Sequence, residues 1–386
     1  MSVSRQQIAV FVFSIVSALA LSSQATENGM QDWVELPLAV PKATRDNVYA
    51  LPPIKMPADF QYSVLVAPGS PLYDPFDIYV VDENTLWVAD DAGGGTIYAV
   101  TMDGDVSVRA ASGQHPPISL DVAPASFGKH AGYIYTVAFS VPEKIGGWEL
   151  PNAVTRFNPT TFAEEVVCFL PSNAAGAAGA GSFFARFGPV GSPFAGKLYI
   201  TAASNHTIYT VTPDDECMPL ATIDLQRWGS PRGISFSPDG KMMLIGAAIQ
   251  DPKNPAITRP GRGSILRVSP AGAVAEKPFV SGLHEPGAMA FAPSGFGEFA
   301  GDLFISDAGS WDNDIAATSP IASDGKLYRV NRSGDLQPFA SGLANPVAVA
   351  FVGDQLVLTD INGDFHVGQH KVPIGFIITI RPTVVP

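Results

Sequence analysis

The feature that most constrains this chain is a fourteen-residue stretch that occurs twice. Residues 338–351 (PFASGLANPVAVAF) match residues 278–291 (PFVSGLHEPGAMAF) at nine of fourteen positions, sixty residues apart. A fixed period of this size indicates a repeat architecture, because each repeat is one supersecondary unit that stacks on its neighbours. The chain is therefore expected to fold as a series of similar units.

A short pattern of β-branched and aromatic residues marks six such units. Its copies begin at residues 95, 152, 206, 263, 325 and 375, at intervals of 57, 54, 57, 62 and 50 residues. A continuous apolar run precedes each copy, which is typical of strands covered on both faces. Another apolar segment comes before that run, and a weaker strand ends the unit. Six units of four strands predict an all-β, six-bladed β-propeller.

The last unit has only three predicted strands, whereas residues 60–66 (FQYSVLV) form a strand that belongs to no unit. We predict that this N-terminal strand completes the last blade and closes the ring, since closure removes an exposed sheet edge. The propeller is therefore predicted to span residues 60–386. The preceding residues 26–59 are Pro-rich without a helical period, which predicts an extended arm.

Residues 1–25 are interpreted as a secretory signal peptide. Arg5 precedes a mostly apolar run over residues 8–21, and the small residues Ser23 and Ala25 follow. The alternative is an uncleaved N-terminal anchor, although the run is short for a bilayer span. We expect a secreted or periplasmic protein with no stable membrane insertion after cleavage.

The acidic composition argues against one class of partner. The chain has 23 Lys and Arg against 36 Asp and Glu, a net charge of −13, whereas nucleic acids and anionic lipids are bound through clustered Lys and Arg. A small-molecule substrate and a monomeric state are expected. Cys168 and Cys217 occupy equivalent outer-strand positions of consecutive units, so that in an exported chain they either pair or remain two buried thiols.

Binding is predicted on the face that carries the loops between the second and third strands of each blade. These loops are short in the first and third blades and long in the others (138–151, 248–262, 308–324 and 361–374). Long loops on a rigid scaffold commonly carry binding residues. The loops that lead from one blade into the next open on the same face, around the mouth of the central channel.

Oxygen-bearing side chains stand at or near the end of the second strand in four blades: Asp90, Asn205, Asp307 and Asp360. If they converge at the mouth, they would suit Ca²⁺ or a similar divalent cation, which takes six to eight oxygen ligands. Alternatively, these Asp residues accept backbone N–H bonds within their own turns. Both readings are compatible with the sequence.

The loops between blades bring a second set of polar residues to the same face. His284 and Glu285 are the predicted catalytic pair, because a His beside the channel can act as a general base near neutral pH. Arg232 and Asn345 from these loops, together with His206, which follows Asn205 in the third blade, are predicted to bind the ligand. The alternative for His284 and His206 is a structural role as hydrogen-bonded loop residues.

The repeated motif Ser-Gly-Leu-x-x-Pro-x-Ala-x-Ala-Phe, followed by Leu-x-x-x-Asp, is the basis of a family resemblance. Over residues 60–381 the chain resembles six-bladed propellers of the SMP-30/gluconolactonase, NHL-repeat and glucose/sorbosone-dehydrogenase group. That group includes Ca²⁺-dependent lactonases and esterases and PQQ-dependent sugar dehydrogenases. Two departures stand out: the early Glu-Gly-Pro metal-ligand segment has no counterpart, and only His284 and Arg232 approach the His–Arg–Arg pocket that PQQ enzymes use.

Three functions are therefore carried forward. The leading hypothesis is a secreted, cation-dependent small-molecule hydrolase of lactonase or esterase type, in which the metal polarises the carbonyl and a carboxylate or His284 activates water. The first alternative is a PQQ-dependent sugar dehydrogenase. The second is a non-catalytic propeller that binds a protein or carbohydrate through its long loops.

Overall fold

The computed structural model describes residues 51–90, 95–112, 115–138, 141–145, 148–150, 152–171, 182–250, 258–309, 324–361, 366–367, 370–371 and 373–383. The predicted signal peptide and residues 26–50 of the predicted arm lie outside the described residues, so both stay predictions. Within the described ranges, no helix combines the length and apolar character needed to cross a membrane.

Strands dominate the described chain, in the spacing that the repeats predict. In chain order they are β1 (Phe60–Val66), β2 (Pro75–Val80), β3 (Thr85–Asp90), β4 (Thr96–Thr101), β5 (Val106–Ala111), β6 (Pro117–Val122), β7 (Ile134–Ala138), β8 (Val141–Ile145), β9 (Trp148–Leu150), β10 (Asn152–Phe157), β11 (Glu164–Leu170), β12 (Ser182–Phe187), β13 (Leu198–Ala202), β14 (Thr207–Val211), β15 (Cys217–Thr222), β16 (Ser230–Phe236), β17 (Met243–Ala248), β18 (Gly263–Val268), β19 (Val280–Leu283), β20 (Pro286–Phe291), β21 (Leu303–Asp307), β22 (Gly325–Val330), β23 (Leu336–Leu343), β24 (Pro346–Val352), β25 (Gln355–Asp360), β26 (His366–Val367), β27 (His370–Lys371) and β28 (Phe376–Pro382). The described helical segments are α1 (Leu225–Trp228) and three 3₁₀ segments (Ala125–His130, Ala203–Asn205 and Gly297–Phe299).

Six four-stranded antiparallel sheets form the blades, and two small hairpins (β8–β9 and β26–β27) lie in long loops. The first strands of the blades, β2, β6, β12, β16, β20 and β24, contact one another in that order, and β24 contacts β2. The second strands β7, β13 and β21 are buried along their whole length, as their continuous apolar sequences predict. This closed inner ring confirms the all-β, six-bladed propeller.

The N-terminal strand completes the sixth blade, as predicted. The strand order in that sheet is β24, β25, β28, β1, and β1 pairs antiparallel with β28 in a register that places Tyr62 opposite Ile380. At the start of β1, the Phe60 ring packs against Phe296 and Phe339, with centroids 5.2 and 5.0 Å apart. These aromatic contacts attach the closing strand to the fifth blade as well as to the sixth.

The last residues of the predicted arm lie along the outer strand of the fifth blade. The backbone N–H groups of Lys55 and Ser341 each donate to the other residue's carbonyl oxygen at 2.9 Å. Gly342 has φ +76°, and a Cβ there would lie 2.4 Å from the Pro53 carbonyl oxygen, so a larger residue would push the arm away. Ile54 packs against the hydrophobic core. The described part of the arm therefore covers an outer sheet edge.

A disulfide joins two neighbouring blades on their outer side. Cys168 on β11 of the second blade is bonded to Cys217 on β15 of the third, at a sequence separation of 49 residues. The structure thus chooses between the two alternatives left open by the sequence. The covalent bond fastens the outermost strands of the two blades, beside a buried cluster that both blades share.

Nearer the axis, an ion pair joins three inner strands. Arg186 on β12 donates from Nη1 and Nη2 to the two carboxylate oxygens of Asp77 on β2, at 2.7 and 2.6 Å. Asp77 also accepts hydrogen bonds from the Ser119 hydroxyl and, at 3.1 Å, from the Leu120 N–H on β6. Asp77 is fully buried, and a buried charge is tolerated only with such partners. The group connects the first three blades.

A second carboxylate, Asp121 on β6, lies beside this ion pair. It accepts a hydrogen bond from the Phe187 N–H on β12 at 2.7 Å. Burial raises the pKa of Asp121 to about 6, and the positive charge of Arg186 partly opposes that rise. The inner ring between the second and third blades therefore contains a carboxyl group whose pKa is raised well above its ordinary value.

Candidate functional site

The mouth of the central channel lies where the inner strands begin. Pro286 and Pro346 are the first residues of β20 and β24, a position where a missing N–H does not weaken the sheet. A recess of about 270 Å³, counting the part open to solvent, is found here. Its lining residues come from five blades: Phe76, Phe184, Arg232, Glu285, Pro286, Gly287, Ala308, Pro346 and Val347.

An ion pair between Arg232 and Glu285 is the charged centre of the recess. Arg232 Nη2 lies 3.2 Å from Glu285 Oε1, and the two residues are only 7 % and 8 % exposed. Arg232 comes from β16 and Glu285 from the residue just before β20, so the pair joins the fourth and fifth blades. Because a buried charge is costly without a partner, each side chain holds the other in place.

Thr258 contacts both members of the predicted catalytic pair. Its hydroxyl donates to Glu285 Oε2 at 3.0 Å, and its carbonyl oxygen lies 3.0 Å from His284 Nε2. Thr258 is 3 % exposed and lies in the long loop between β17 and β18, where it forms an isolated bridge with Gln250. Thr258 could not be predicted from the sequence, because a Thr within a long loop carries no distinguishing signal.

The contact with Thr258 determines which nitrogen of His284 carries the hydrogen. A carbonyl oxygen can only accept, so Nε2 is the donor, and in the neutral ring Nδ1 is left as the acceptor nitrogen. The backbone of His284 is fixed by a hydrogen bond from its N–H to Asp307 Oδ2 at 2.7 Å. His284 is partly exposed. A positioned imidazole of this tautomer can take a proton through Nδ1.

The predicted ligand residues His206 and Asn345 have defined partners. His206 Nδ1 lies 3.2 Å from the Ser230 hydroxyl, and burial together with the positive charge of Arg232 lowers the pKa of His206. Asn345 is buried, and its amide donates to the Ala308 carbonyl at 3.1 Å. His206 therefore lies within the electrostatic influence of Arg232, whereas the Asn345 side chain supports the loop that follows β21.

The three acidic residues that end second strands share one structural role. Each carboxylate binds the backbone just ahead of the first strand of its own blade. Asp90 accepts from the backbone N–H groups of Tyr73 and Asp74 at 2.7 and 3.1 Å. Asp307 accepts from those of His284 and Glu285, both at 2.7 Å. Asp360 accepts from those of Ala344 and Asn345 at 2.9 and 2.8 Å. Burial raises the pKa of Asp307, and these N–H donors oppose the rise.

The fourth predicted metal ligand, Asn205, lies in the 3₁₀ segment Ala203–Asn205. Its amide nitrogen donates to the Pro171 carbonyl at 2.5 Å and to the Tyr209 hydroxyl at 2.7 Å. In the part of the chain that the structure describes, no three His, Cys, Asp or Glu side chains lie close enough together to hold a metal ion. The described carboxylates thus fit the backbone-binding alternative, and a Ca²⁺ site stays a prediction.

No family model matches this chain, and no curated protein matches it. Among solved structures, the PQQ-bound form of an aldose sugar dehydrogenase from Streptomyces coelicolor has a TM-score of 0.55 at 15 % identity, over 85 % of this chain and 100 % of that chain. A glucose dehydrogenase has a TM-score of 0.53 at 14 % identity, over 83 % of this chain and 98 % of that chain. A candidate gluconolactonase has a TM-score of 0.50 at 12 % identity, over 85 % of this chain and 93 % of that chain. At these identities the similarity shows the shared six-bladed fold.

Proposed function

We propose that this protein hydrolyses small esters or lactones at the mouth of the propeller channel. The observation that carries the proposal is the position of Thr258, which holds His284 through its carbonyl and Glu285 through its hydroxyl. This arrangement places an imidazole of known tautomer beside a buried Arg232–Glu285 ion pair. A base and a positive charge side by side are the groups that ester hydrolysis needs.

In the proposed reaction, His284 acts as general base through Nδ1. It takes a proton from water, and the water oxygen forms a bond to the carbonyl carbon of the substrate. The charge that develops on the carbonyl oxygen is stabilised by Arg232, which Glu285 holds in position. The tetrahedral intermediate then breaks its bond to the alcohol oxygen, and the imidazolium returns the proton to that oxygen. The products are a carboxylic acid and an alcohol, or one hydroxy acid from a lactone.

Cation dependence and export are separate parts of the proposal. The described carboxylates at the mouth are engaged by backbone N–H groups, so no catalytic step is assigned to a metal. The expected location remains secreted or periplasmic, with a small-molecule substrate and a monomeric state. Hydrolysis measured with EDTA and with added Ca²⁺ tests the cation, because a cation-independent enzyme shows equal rates in both.

The experiment compares hydrolysis of 4-nitrophenyl esters and of lactones by the wild type and by His284→Asn. General-base catalysis contributes about 10²- to 10⁴-fold, so the variant should lose at least about 100-fold in kcat. His130→Asn is the matched control, since His130 lies in the turn between β6 and β7, on the opposite face of the propeller. Equal activity in wild type and His284→Asn would refute the role of His284.

The alternative functions give different results in the same series of assays. Sugar-dependent dye reduction that requires added PQQ would favour a dehydrogenase. PQQ carries three carboxylates, and among the described residues that line the recess Arg232 is the one cation, already paired with Glu285. The described residues therefore fit PQQ poorly. Absence of both activities would favour a non-catalytic binding propeller.

A further inference from the structure

We infer that the recess at the channel mouth is a subsite for a short apolar acyl group. The substrate is then an apolar ester or lactone rather than a polyhydroxylated sugar lactone. This inference rests on the proposed hydrolase function and specifies the substrate class of the same site.

The chemistry of the lining favours an apolar group. Seven of the nine lining residues carry no polar side-chain group: Phe76, Phe184, Pro286, Gly287, Ala308, Pro346 and Val347. A sugar hydroxyl that loses its water needs a hydrogen-bond partner in exchange. An acyl chain needs none and gains from contact with such walls. The recess therefore discriminates against hydroxylated substrates.

The two polar residues of the lining are already committed to other protein groups. Glu285 receives a donor at each carboxylate oxygen, from Arg232 at Oε1 and from Thr258 at Oε2. A substrate hydroxyl that bound Glu285 would compete with a buried ion pair. The pair is therefore better placed to meet the single carbonyl of an ester than the hydroxyls of a sugar.

The size of the recess indicates a subsite for part of a molecule. The recess is open to solvent, and its volume of about 270 Å³ counts that open space, so it can hold one end of a molecule but does not enclose a whole ligand. Gly287 leaves space in the lining and does not tolerate a side chain, because a Cβ would lie 2.6 Å from the Val347 carbonyl oxygen. Val347, which is 4 % exposed, is therefore the residue whose size can be changed to alter the recess.

The test is the acyl-chain profile of 4-nitrophenyl acetate, butyrate and hexanoate, with glucono-δ-lactone as the sugar substrate. One methylene that fits or fails in an apolar pocket changes kcat/KM by about 10- to 200-fold. We expect butyrate to exceed acetate by about tenfold or more and the sugar lactone to be the poorest. Val347→Phe should lower the ratio of kcat/KM for butyrate to kcat/KM for acetate about tenfold or more, and Val347→Ala should move the preference toward hexanoate. Val108→Phe, a change at a residue 62 % exposed on β5, is the matched control.

Failure of the inference and failure of the proposed function are distinguishable. If the enzyme is active and loses activity in His284→Asn, yet the profile is unchanged in both Val347 variants, the acyl subsite is wrong and the hydrolase function stands. If no ester or lactone is hydrolysed, calorimetric titration with N-(4-nitrophenyl)butyramide is decisive for the subsite. Binding that Val347→Phe weakens by about tenfold or more would support it, and the absence of such binding would overturn it.

Discussion

Asp121→Asn should remove a pH dependence from the stability of this propeller. Asp121 lies on the inner strand β6, where its two oxygens accept the N–H groups of Val122 and Phe187 at 2.8 and 2.7 Å. Burial raises its pKa to about 6, despite the nearby Arg186. Asn keeps the size and one acceptor oxygen but has no charge. Its NH2 group loses one of the two N–H partners at every pH, so the ionisation of Asp121 is read from the pH dependence of the difference between variant and wild type.

The magnitude follows from the difference between the folded pKa of about 6 and the usual value of 3.8. A difference of about two pKa units corresponds to about 3 kcal/mol of unfolding free energy. Because the folded-state pKa is the higher one, the folded protein binds the proton more tightly than the unfolded chain. This contribution to stability is therefore fully present below about pH 3.8 and is lost as the pH rises through about 6. Asp121 is partly exposed, so solvent screening makes 3 kcal/mol the upper bound.

The assay is urea unfolding of wild type and Asp121→Asn at pH 4 and pH 7.5. The unfolding free energy of the variant relative to wild type should rise by up to about 3 kcal/mol between the two pH values. Asp59→Asn, at an exposed carboxylate, reports what the loss of any surface charge does. If wild type and Asp121→Asn change in parallel with pH, the Asp121 carboxyl is not the source and the argument is refuted.

Three other substitutions test the disulfide, the inner ion pair and the channel mouth. Changing Cys168 and Cys217 to Ser should lower the unfolding free energy by about 4 kcal/mol in the chain-entropy account of a 49-residue loop, and an unchanged urea midpoint would contradict it. Arg186→Met leaves Asp77 charged without its partner and should cost about 3–5 kcal/mol. Adding Asp77→Asn should recover part of that loss, and no recovery would speak against the pairing. Thr258→Val should reduce kcat/KM for esters about tenfold or more, as expected for loss of a hydrogen bond to a charged group. Thr258→Ser, which keeps the hydroxyl, is the control, and equal values of kcat/KM in the Val and Ser variants would contradict the prediction.

Most of the fold could be predicted because the sequence repeat encodes the same set of strands in each blade. The match between residues 278–291 and 338–351 spans an outer strand and the first strand of the next blade, β19 and β20 in one copy and most of β23 and β24 in the other. Its period therefore gives the blade size directly. The unassigned strand at the N-terminus predicted ring closure. The ion pair between Asp77 and Arg186 could not be predicted, because its partners are 109 residues apart and meet only through the ring.

The sequence indicated which face of the propeller carries the candidate site, but it did not indicate the hydrogen bonds within that site. The sequence predicted Arg232, His284 and Glu285 at one mouth because all three lie near junctions between blades. In the structure Arg232 lies within β16 and Glu285 just before β20, and both line the recess, whereas His284 is linked to Glu285 through Thr258. An Asp at the end of a strand serves a cation or a backbone turn equally well, and only the surrounding N–H groups distinguish the two. Thr258 acts through its carbonyl as much as through its side chain, and a backbone contact leaves no trace in the residue type.

The pairing of β1 with β28 has a consequence for how this protein is made. The strand synthesised near the beginning of the chain acquires its partner only when nearly the whole chain has been synthesised. Until then the sixth blade lacks a strand, and Phe60 reaches its aromatic neighbours only after the fifth blade exists. The ring therefore stays open, with β1 unpaired, until the strands of the sixth blade have been synthesised.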